Sequence, residues 1–359
     1  MSLHGICILI LSFLLWGCAA EKNKSEVVIE WKDNHATGIF IPTQLLPALN
    51  KDVIHSQIQV RLINSTVPII GEYKLIEDAI SFTPLLPFSR GLQYEILFAN
   101  KRVSRFTVPL DTKSKAPAIV AVYPSSDTVP ENLLKIYIQF SQPMQEGEAM
   151  KNINVLKNNK DTIPSVFLDL ETELWNKDRT MLTLWLDPGR IKRDLQPNIK
   201  AGTPLHKATS YSIIINKDWR SAEGIALSSP STKNYFAADR DANSPNPETW
   251  TMQTPKAKTN ASLNIQLHEA LDYVLLKNAI RVIDTYGNIV NGSFEPANKE
   301  TFLNFIPSKE WEPGNYTLEI EGRLEDLAGN NLNRLFDNDI TVQHKVENKK
   351  VYTRTFTIE

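Results

Sequence analysis

The stretch Lys135–Met144, KIYIQFSQPM, decides the fold class of this chain. Apolar Ile136, Ile138 and Phe140 alternate with more polar residues, which is the period-two pattern of a strand that buries one face. Because proline has no amide proton to give to a sheet, Pro143 marks the end of the strand. The stretch therefore predicts a half-buried β-strand that ends in a corner.

One order of elements recurs three times along the chain, which indicates repeated domains. The first element is a strand that ends near a turn, at Ala36–Leu46, Lys135–Met144 and Ser262–Leu271. The second is an apolar strand followed by a polar turn, at Ile58–Pro68, Ile153–Pro164 and Ile280–Asn291. The third ends in a proline corner, at Phe82–Pro84, Leu186–Pro188 and Phe305–Pro307. The fourth is a glycine ahead of a tyrosine that opens an alternating strand, at Gly91 and Tyr94, Gly202 and Tyr211, and Gly314 and Tyr316.

Short strands at this spacing, with turn residues between them, predict β-sandwiches of about 100 residues each. In such a sandwich the ring of the repeated tyrosine packs in the core, and its hydroxyl reaches the backbone at a sheet corner. The glycines of the repeats allow the positive φ angles that tight turns need.

Two stretches carry a family resemblance. Ile138–Met144 resembles the F-S-x-P-M signature of bacterial Ig-like domains of the type found in S-layer proteins, and Leu324–Leu332 is similar to their closing D-x-x-G-N-x-L turn. The resemblance implies an all-β fold with two to three Ig-like β-sandwich domains in tandem. It also implies a role in spacing, display or adhesion, since that family is not tied to one chemistry.

Polar, proline-containing linkers at 111–117 and 239–247 set the domain boundaries. The expected organisation is a signal peptide at 1–17, a tether at 18–26, a divergent sandwich at 27–110, a sandwich at 115–240 with an inserted loop at 189–206, and a sandwich at 246–359. The inserted loop is basic, and long loops on rigid scaffolds often carry function.

The N-terminus predicts export and lipidation. Ile6–Trp16 is an apolar run broken only by Ser12, too short to span a bilayer, which needs roughly 20 residues, but of signal-peptide length. Leu15–Cys18 resembles the lipobox of bacterial lipoproteins, which implies that Cys18 carries diacylglycerol and begins the mature protein. By resemblance to Gram-negative lipoproteins, the absence of Asp at Ala19 implies the outer membrane, on its periplasmic or surface side. A buried apolar helix and an ordinary secretory signal are the alternatives.

Charge and cysteine content exclude several classes of function. Lys plus Arg number 39 and Asp plus Glu 41, a net charge of −2, whereas nucleic-acid binding requires clustered positive charge. Cys7 leaves with the signal peptide and Cys18 is lipidated, and these are the chain's 2 cysteines. The mature chain therefore has no disulfide, no thiolate metal site and no cysteine nucleophile.

The motifs do not favour catalysis or a metal site. The histidines after the signal are widely spread, without an H-E-x-x-H or G-x-S-x-G motif. Acidic turns at Asp239 and Asp241, and at Asp326, Asp337 and Asp339, lack the spacing of a calcium loop. We therefore expect no catalytic residue, no cofactor and no metal ligand.

Tryptophans motivate the main alternative function. Trp175, Trp185, Trp219, Trp250 and Trp311 could stack on sugar rings if exposed, although the last three neighbour domain ends and are expected in interdomain packing. The sequence thus favours a non-enzymatic, membrane-anchored lipoprotein that acts as a cell-envelope scaffold or binding module for a protein or polysaccharide. A carbohydrate-binding module and an enzyme with a fold-assembled site are the alternatives.

Overall fold

The computed structural model describes residues 26–33, 35–47, 49, 54–63, 65–110, 115–170, 172–337 and 348–359. These residues are mostly β-strand in several sheets with a few short helices, so the all-β prediction is confirmed. They form two compact units that divide between Leu110 and Asp111. In the described ranges, none of the helices has the length and apolarity to cross a membrane. Cys18 and the predicted signal peptide lie outside those ranges.

The first unit is a sandwich of two antiparallel sheets. Its elements are β1 (Val28–Lys32), β2 (His35–Pro42), a 3-10 helix (Thr43–Leu45), α1 (Ile54–Gln57), β3 (Ile58–Leu62), β4 (Gly71–Ile76), β5 (Ala79–Pro84), β6 (Gln93–Phe98) and β7 (Lys101–Thr107). One sheet has the order β1-β2-β5-β4 and the other β3-β6-β7. Ile39, Phe82 and Ile96 meet between them, fully buried, because alternate residues of each strand point inward.

The second unit contains two hydrophobic cores, each inside its own pair of sheets. The sandwich nearer the N-terminus is called the middle sandwich here, and the other the C-terminal sandwich. The middle sandwich comprises β8 (Ile119–Tyr123), β9 (Thr128–Pro130), β10 (Lys135–Phe140), α2 (Ala149–Asn152), β11 (Ile153–Lys157), β12 (Asp161–Thr162), β13 (Leu174–Trp175), β14 (Met181–Trp185), α3 (Pro188–Ile191), α4 (Gln196–Ala201), β15 (Thr209–Ile215) and β16 (Ser231–Ala238). Its sheets have the orders β13-β14-β10-β8 and β12-β11-β15-β16-β9.

The C-terminal sandwich follows a 3-10 helix at Pro247–Thr249. It comprises β17 (Thr251–Gln253), β18 (Leu263–Gln266), α5 (Tyr273–Asn278), β19 (Ile280–Ile283), β20 (Gly292–Ala297), β21 (Phe302–Pro307), β22 (Gly314–Glu321) and β23 (Val351–Ile358). Its sheets have the orders β17-β18-β21-β20 and β19-β22-β23.

The repeated elements of the sequence take equivalent places in all three sandwiches. The first-element strands β2, β10 and β18 pair with the third-element strands β5, β14 and β21. The second-element strands β3, β11 and β19 pair with the fourth-element strands β6, β15 and β22. Successive elements therefore alternate between the two sheets, which is why their order repeats along the chain.

The repeated tyrosines occupy the sheet corners that the sequence predicts. The rings of Tyr94, Tyr211 and Tyr316 are buried. The hydroxyl oxygens of Tyr94 and Tyr211 accept the amide protons of Ser89 and His206, at 2.9 and 2.8 Å. The Tyr316 hydroxyl instead donates to the carbonyl oxygen four residues upstream, at 2.9 Å. Each hydroxyl thus pairs a backbone group at its corner.

The insertion at 189–206 is not simply a loop, since it contains most of α3 and the whole of α4. A proline stands in the first turn of each helix, where its fixed φ favours helix initiation. The Asp187 carboxylate caps α3 by accepting the amide proton of Gly189 at 2.8 Å. The Arg190 guanidinium donates to the carbonyl oxygens of Ser165 and Gly202 at 2.8 and 3.0 Å. Part of the basic character of the insertion therefore holds its own backbone in place.

Candidate functional site

Three of the five tryptophans that the sequence suggests for sugar stacking are buried in the described residues. Trp219, Trp250 and Trp311 are at most 2% exposed. The first lies in the middle sandwich core, and the other two in the C-terminal core. The expectation that these three side chains pack between domains is therefore wrong, because each one belongs to the buried core of its own sandwich. Trp175 and Trp185 are partly buried against the middle core.

The two sandwiches of the second unit meet at a junction with a buried ion pair. The Lys135 ammonium of β10 lies 2.5 Å from a Glu325 carboxylate oxygen and 3.3 Å from an Asp272 carboxylate oxygen. The Tyr137 hydroxyl donates to the same Asp272 oxygen at 2.6 Å. The other Asp272 oxygen caps α5 by accepting the amide protons of Val274 and Leu275. Lys135 and Tyr137 come from the middle sandwich, and the carboxylates come from the C-terminal sandwich.

Burial and charge oppose each other at this ion pair. Burial disfavours the charged form of Lys135, but the carboxylates of Asp272 and Glu325 outweigh it and raise the lysine pKa above its usual value. Burial, reinforced by the Asp272 charge, raises the pKa of Tyr137 far above its usual value, so the hydroxyl keeps its proton and remains a donor. Lys135 therefore stays charged and Tyr137 protonated at neutral pH, whereas burial raises the pKa of the Glu325 carboxyl above its usual value.

Aromatic stacking adds a second contact at the junction. The rings of Tyr123 and Tyr273 lie parallel, with centroids 3.5 Å apart. The buried Glu300 carboxylate accepts the amide proton of Ser125 at 2.9 Å. The cavity between these groups holds about 10 Å³, room for a single water molecule. The junction is therefore a packed interface without space for a larger ligand.

The linker backbone is held from both sides. Asn132 of the middle sandwich donates to the Asp241 carbonyl at 2.8 Å and accepts the Asp241 amide proton at 2.9 Å. The Leu134 amide donates to the Leu327 carbonyl at 2.9 Å. Gly329 has a φ of +81°, and a Cβ there would clash with the Leu134 side chain. The glycine of the D-x-x-G-N turn thus permits close approach of the two sandwiches.

The insertion braces the same junction. Asp337 of the C-terminal sandwich accepts from the Arg193 guanidinium at 2.8 Å and from Arg240 at 2.5 Å. Arg240 also donates to the Ile191 carbonyl at 2.7 Å. The insertion, the linker and the C-terminal sandwich are therefore tied together by one carboxylate. Asp339, which the sequence groups with Asp337, lies outside the described residues.

Three carboxylates converge beside the linker. Ligand oxygens of Asp241, Glu269 and Asp326 lie within 4.8 Å of one another and could hold a metal ion. Burial, then the Asp241 charge, raises the pKa of Glu269 to about 7. Burial likewise raises the pKa of Asp326 to about 8, although Asn330 donates to it. The sequence placed Asp241 and Asp326 in separate acidic turns, and the fold brings them together with a glutamate that the sequence did not single out.

A larger apolar cleft of about 390 Å³ opens in the middle sandwich. Its walls include Met150 of α2 and the leucines Leu168, Leu170 and Leu174. Asp169 and Lys151 also line the cleft, and the Lys151 ammonium pairs with Glu148 at 2.8 Å. Two of the five histidines noted in the sequence, His55 and His344, have no described side chain. The other three do not line the cleft or the junction cavity.

Sequence reasoning missed the junction, although one signal was present. Alternation along β10 places Lys135 and Tyr137 on the face opposite Ile136 and Ile138. A tyrosine on that outer face indicates that something covers it. The partner, Asp272, lies 135 positions along the chain from Tyr137, so the pattern predicts a covered face without predicting what covers it.

The chain matches no protein-family model and no curated protein. Structural likeness exists at low identity. A fragment of Escherichia coli alpha-2-macroglobulin spanning domains MG0-NIE-MG1 is 10% identical and covers 58% of this chain and 67% of its own, with a TM-score of 0.23. The S-layer protein rSbsC is 11% identical over 57% of this chain and 23% of its own, with a TM-score of 0.24. The Ig1-2 module of a Drosophila receptor protein tyrosine phosphatase, DLAR, is 14% identical over 58% and 91%, with a TM-score of 0.21.

These scores are too low to carry an argument about function. The chain spans less than a quarter of the S-layer structure. The sandwich fold rests instead on the strand pairing described above.

Proposed function

We propose that this protein is a non-enzymatic, membrane-anchored lipoprotein whose Ig-like sandwiches form a cell-envelope scaffold or binding module. The observation that carries the proposal is the junction of the second unit. A buried ion pair, a stacked tyrosine pair and a doubly held linker fix the angle between two sandwiches. A fixed angle suits a spacer or display element, which must hold a binding surface at a set distance and orientation.

The anchor in this proposal is diacylglycerol on Cys18, and the location is the outer membrane. The support is the lipobox resemblance of Leu15–Cys18, followed by Ala19 rather than Asp. Two or more acyl chains hold a protein stably at a bilayer, whereas one chain holds it only reversibly. The partner of the scaffold would be another envelope protein or a polysaccharide.

Two measurements test the proposal. Labelled palmitate should enter the wild-type protein in cells and should be absent from Cys18→Ala, which should also leave the membrane fraction. Unlipidated residues 19–359 should retain the same envelope partner in a pull-down as the lipidated protein does. If the wild-type protein takes up no labelled palmitate in cells, the proposed lipid anchor is wrong. If residues 19–359 turn over an envelope substrate with saturation kinetics, the proposed non-enzymatic role is wrong.

A further inference from the structure

The first unit exposes a group of aliphatic side chains at one end of its sandwich, here called the aliphatic tip. Ile70, Leu85 and Leu86 are each 77% exposed, and Val67 is 70% exposed. The Leu85 amide donates to the Ile70 carbonyl at 2.9 Å, so the segments before β4 and after β5 lie side by side. Contiguous exposed apolar side chains on a soluble domain mark an interaction surface.

The composition of the aliphatic tip favours lipid over protein. Residues 65–71 and 79–89 contain no Asp, Glu, Lys or Arg. Insertion of these segments into a bilayer would therefore desolvate no charged side chain. The tip also lacks Trp, Tyr and Arg, the residues that dominate protein–protein hot spots. Leucine and valine, which form most of the tip, are under-represented there.

The position of the tip relative to the chain start brings it within reach of a lipid anchor. Val28, Phe40, Ser81 and Lys74 lie in one row across the sheet β1-β2-β5-β4. Ile70 is four residues along and three strands across from Val28, a separation of roughly 20 Å. The ten residue steps from Cys18 to Val28 extend at most about 35 Å. The tip lies at the opposite end of the strands from the point where the chain enters β1, and the tether is long enough to turn back so that the tip and the Cys18 acyl chains enter the same bilayer.

We propose that the aliphatic tip inserts into the lipid surface and orients the first unit on the membrane. This inference rests on the proposed lipid anchor, which holds the tip at high effective concentration beside the bilayer. Four aliphatic side chains bind weakly on their own, but a tethered patch needs only weak affinity to stay engaged. The ligand is the acyl region of the membrane rather than a particular headgroup.

The test supplies the anchor artificially, so that it does not depend on lipidation of Cys18. A histidine tag replaces residue 18 in the chain 18–359, which is then held on phosphatidylcholine vesicles that contain a nickel-chelating lipid. Because the tagged chain has no cysteine, Leu86→Cys provides a single site for an environment-sensitive dye. The matched control is Ile199→Cys in α4, which is 64% exposed.

Dye at position 86 should shift to the blue and brighten about twofold or more on the vesicles, and nitroxide-labelled acyl chains should quench it. Dye at position 199 should do neither. Adding Val67→Ser, Ile70→Ser and Leu85→Ser to Leu86→Cys should at least halve the brightening. The exposed positions make these variants safe for folding.

Three results would overturn the proposal. The first is that the dye at position 86 responds to vesicles no more than the dye at position 199. The second is that the dye at position 86 is already shielded before vesicles are added, because the chain or a second copy covers the tip. The third is an emission change that survives the three serine substitutions. A lack of palmitate on Cys18 in cells would instead remove the natural anchor and leave this readout unchanged, so the two failures are distinguishable.

Discussion

The corner after the third repeated element differs between the first and second units. In the first unit this corner is Leu85–Pro87, and both of its leucines are exposed to solvent. In the middle sandwich it expands into residues 189–206, and Arg193 of this insertion pairs with Asp337. In the C-terminal sandwich it is short and holds buried Trp311. The corner after the third element is thus exposed to solvent in the first unit, held by ion pairs in the middle sandwich (the braced corner) and filled by a buried tryptophan in the C-terminal sandwich. The side chains that follow the proline decide which of these occurs.

This difference teaches how one sandwich scaffold acquires distinct ends. A braced corner places charged groups where a second sandwich can pair with them, at a desolvation cost that the ion pairs must offset. An exposed aliphatic corner has no such desolvation cost, and it is stabilised only when another apolar surface covers it. Substitution should therefore destabilise the braced corner and leave stability almost unchanged at the exposed aliphatic corner.

Among substitutions of charged and polar side chains, the largest effect is expected at the junction. Lys135→Ala removes the cation between two carboxylates of which Asp272 is only 4% exposed, and should lower the free energy of unfolding of the second unit by about 3 kcal/mol. Urea unfolding of residues 19–359, followed by tryptophan fluorescence, measures the loss. Lys258→Ala, at the exposed pair with Glu312, is the control and should cost less than about 1 kcal/mol. Equal losses would mean that the junction pair is no stronger than a surface pair.

Tyrosine hydroxyls allow a comparison across all three corners. Tyr94→Phe and Tyr211→Phe each leave a backbone amide proton without its acceptor, and should each cost about 1.5 kcal/mol. Tyr316→Phe instead leaves a backbone carbonyl oxygen, that of Glu312, without its partner, and because an unpaired carbonyl is tolerated better than an unpaired amide proton it should cost about 0.5 kcal/mol. Urea unfolding compares the three variants. A Tyr316→Phe loss as large as the others would show that hydroxyl desolvation, rather than the orphaned amide, sets the effect.

The repeats were predictable because their causes are local. Period-two alternation fixes which face of β10 is buried, and the tyrosine that opens an alternating strand marks the corners at Tyr94 and Tyr211. The fate of Trp219 and Trp311 was not predictable from their position near the domain ends in sequence. Core packing depends on contacts far apart in sequence, such as the Trp311 indole donating to the Ala261 carbonyl, so sequence position alone does not separate core from interface.

The junction was beyond local pattern for a different reason. Lys135 and Glu325 are 190 positions apart, and their pairing depends on the angle at which two sandwiches meet. Lysine and glutamate are residue types that usually lie exposed at the surface, so neither one alone indicates a buried pair. The packing of the two sandwiches against each other, where Gly329 lies against Leu134, turns them into a largely buried pair.

The carboxylate cluster beside the linker should make the stability of the second unit depend on pH. The folded-state pKa of Glu269 is raised to about 7, so its contribution to stability is full below about pH 4.5 and is lost as pH rises through 7. Glu269→Gln should therefore raise the free energy of unfolding at pH 8 by roughly 1 kcal/mol, after allowance for solvent screening, and leave it unchanged at pH 4. Thermal unfolding at the two pH values measures this. An equal gain at pH 4 would assign the effect to packing rather than to charge.

The smallest effect on stability is expected at the aliphatic tip. Leu85→Ser combined with Leu86→Ser should change the free energy of unfolding by less than about 0.5 kcal/mol, since both side chains are already in water in the folded chain. The same exchange at the braced corner, Ile191→Ser, removes a fully buried side chain and should cost more than about 3 kcal/mol. Urea unfolding without lipid measures both variants. A large loss for the leucine pair would mean that the tip is packed in solution, and the contrast between a bare and a braced corner would then disappear. A negligible loss, together with weaker vesicle insertion, would separate a surface kept for binding from one kept for folding.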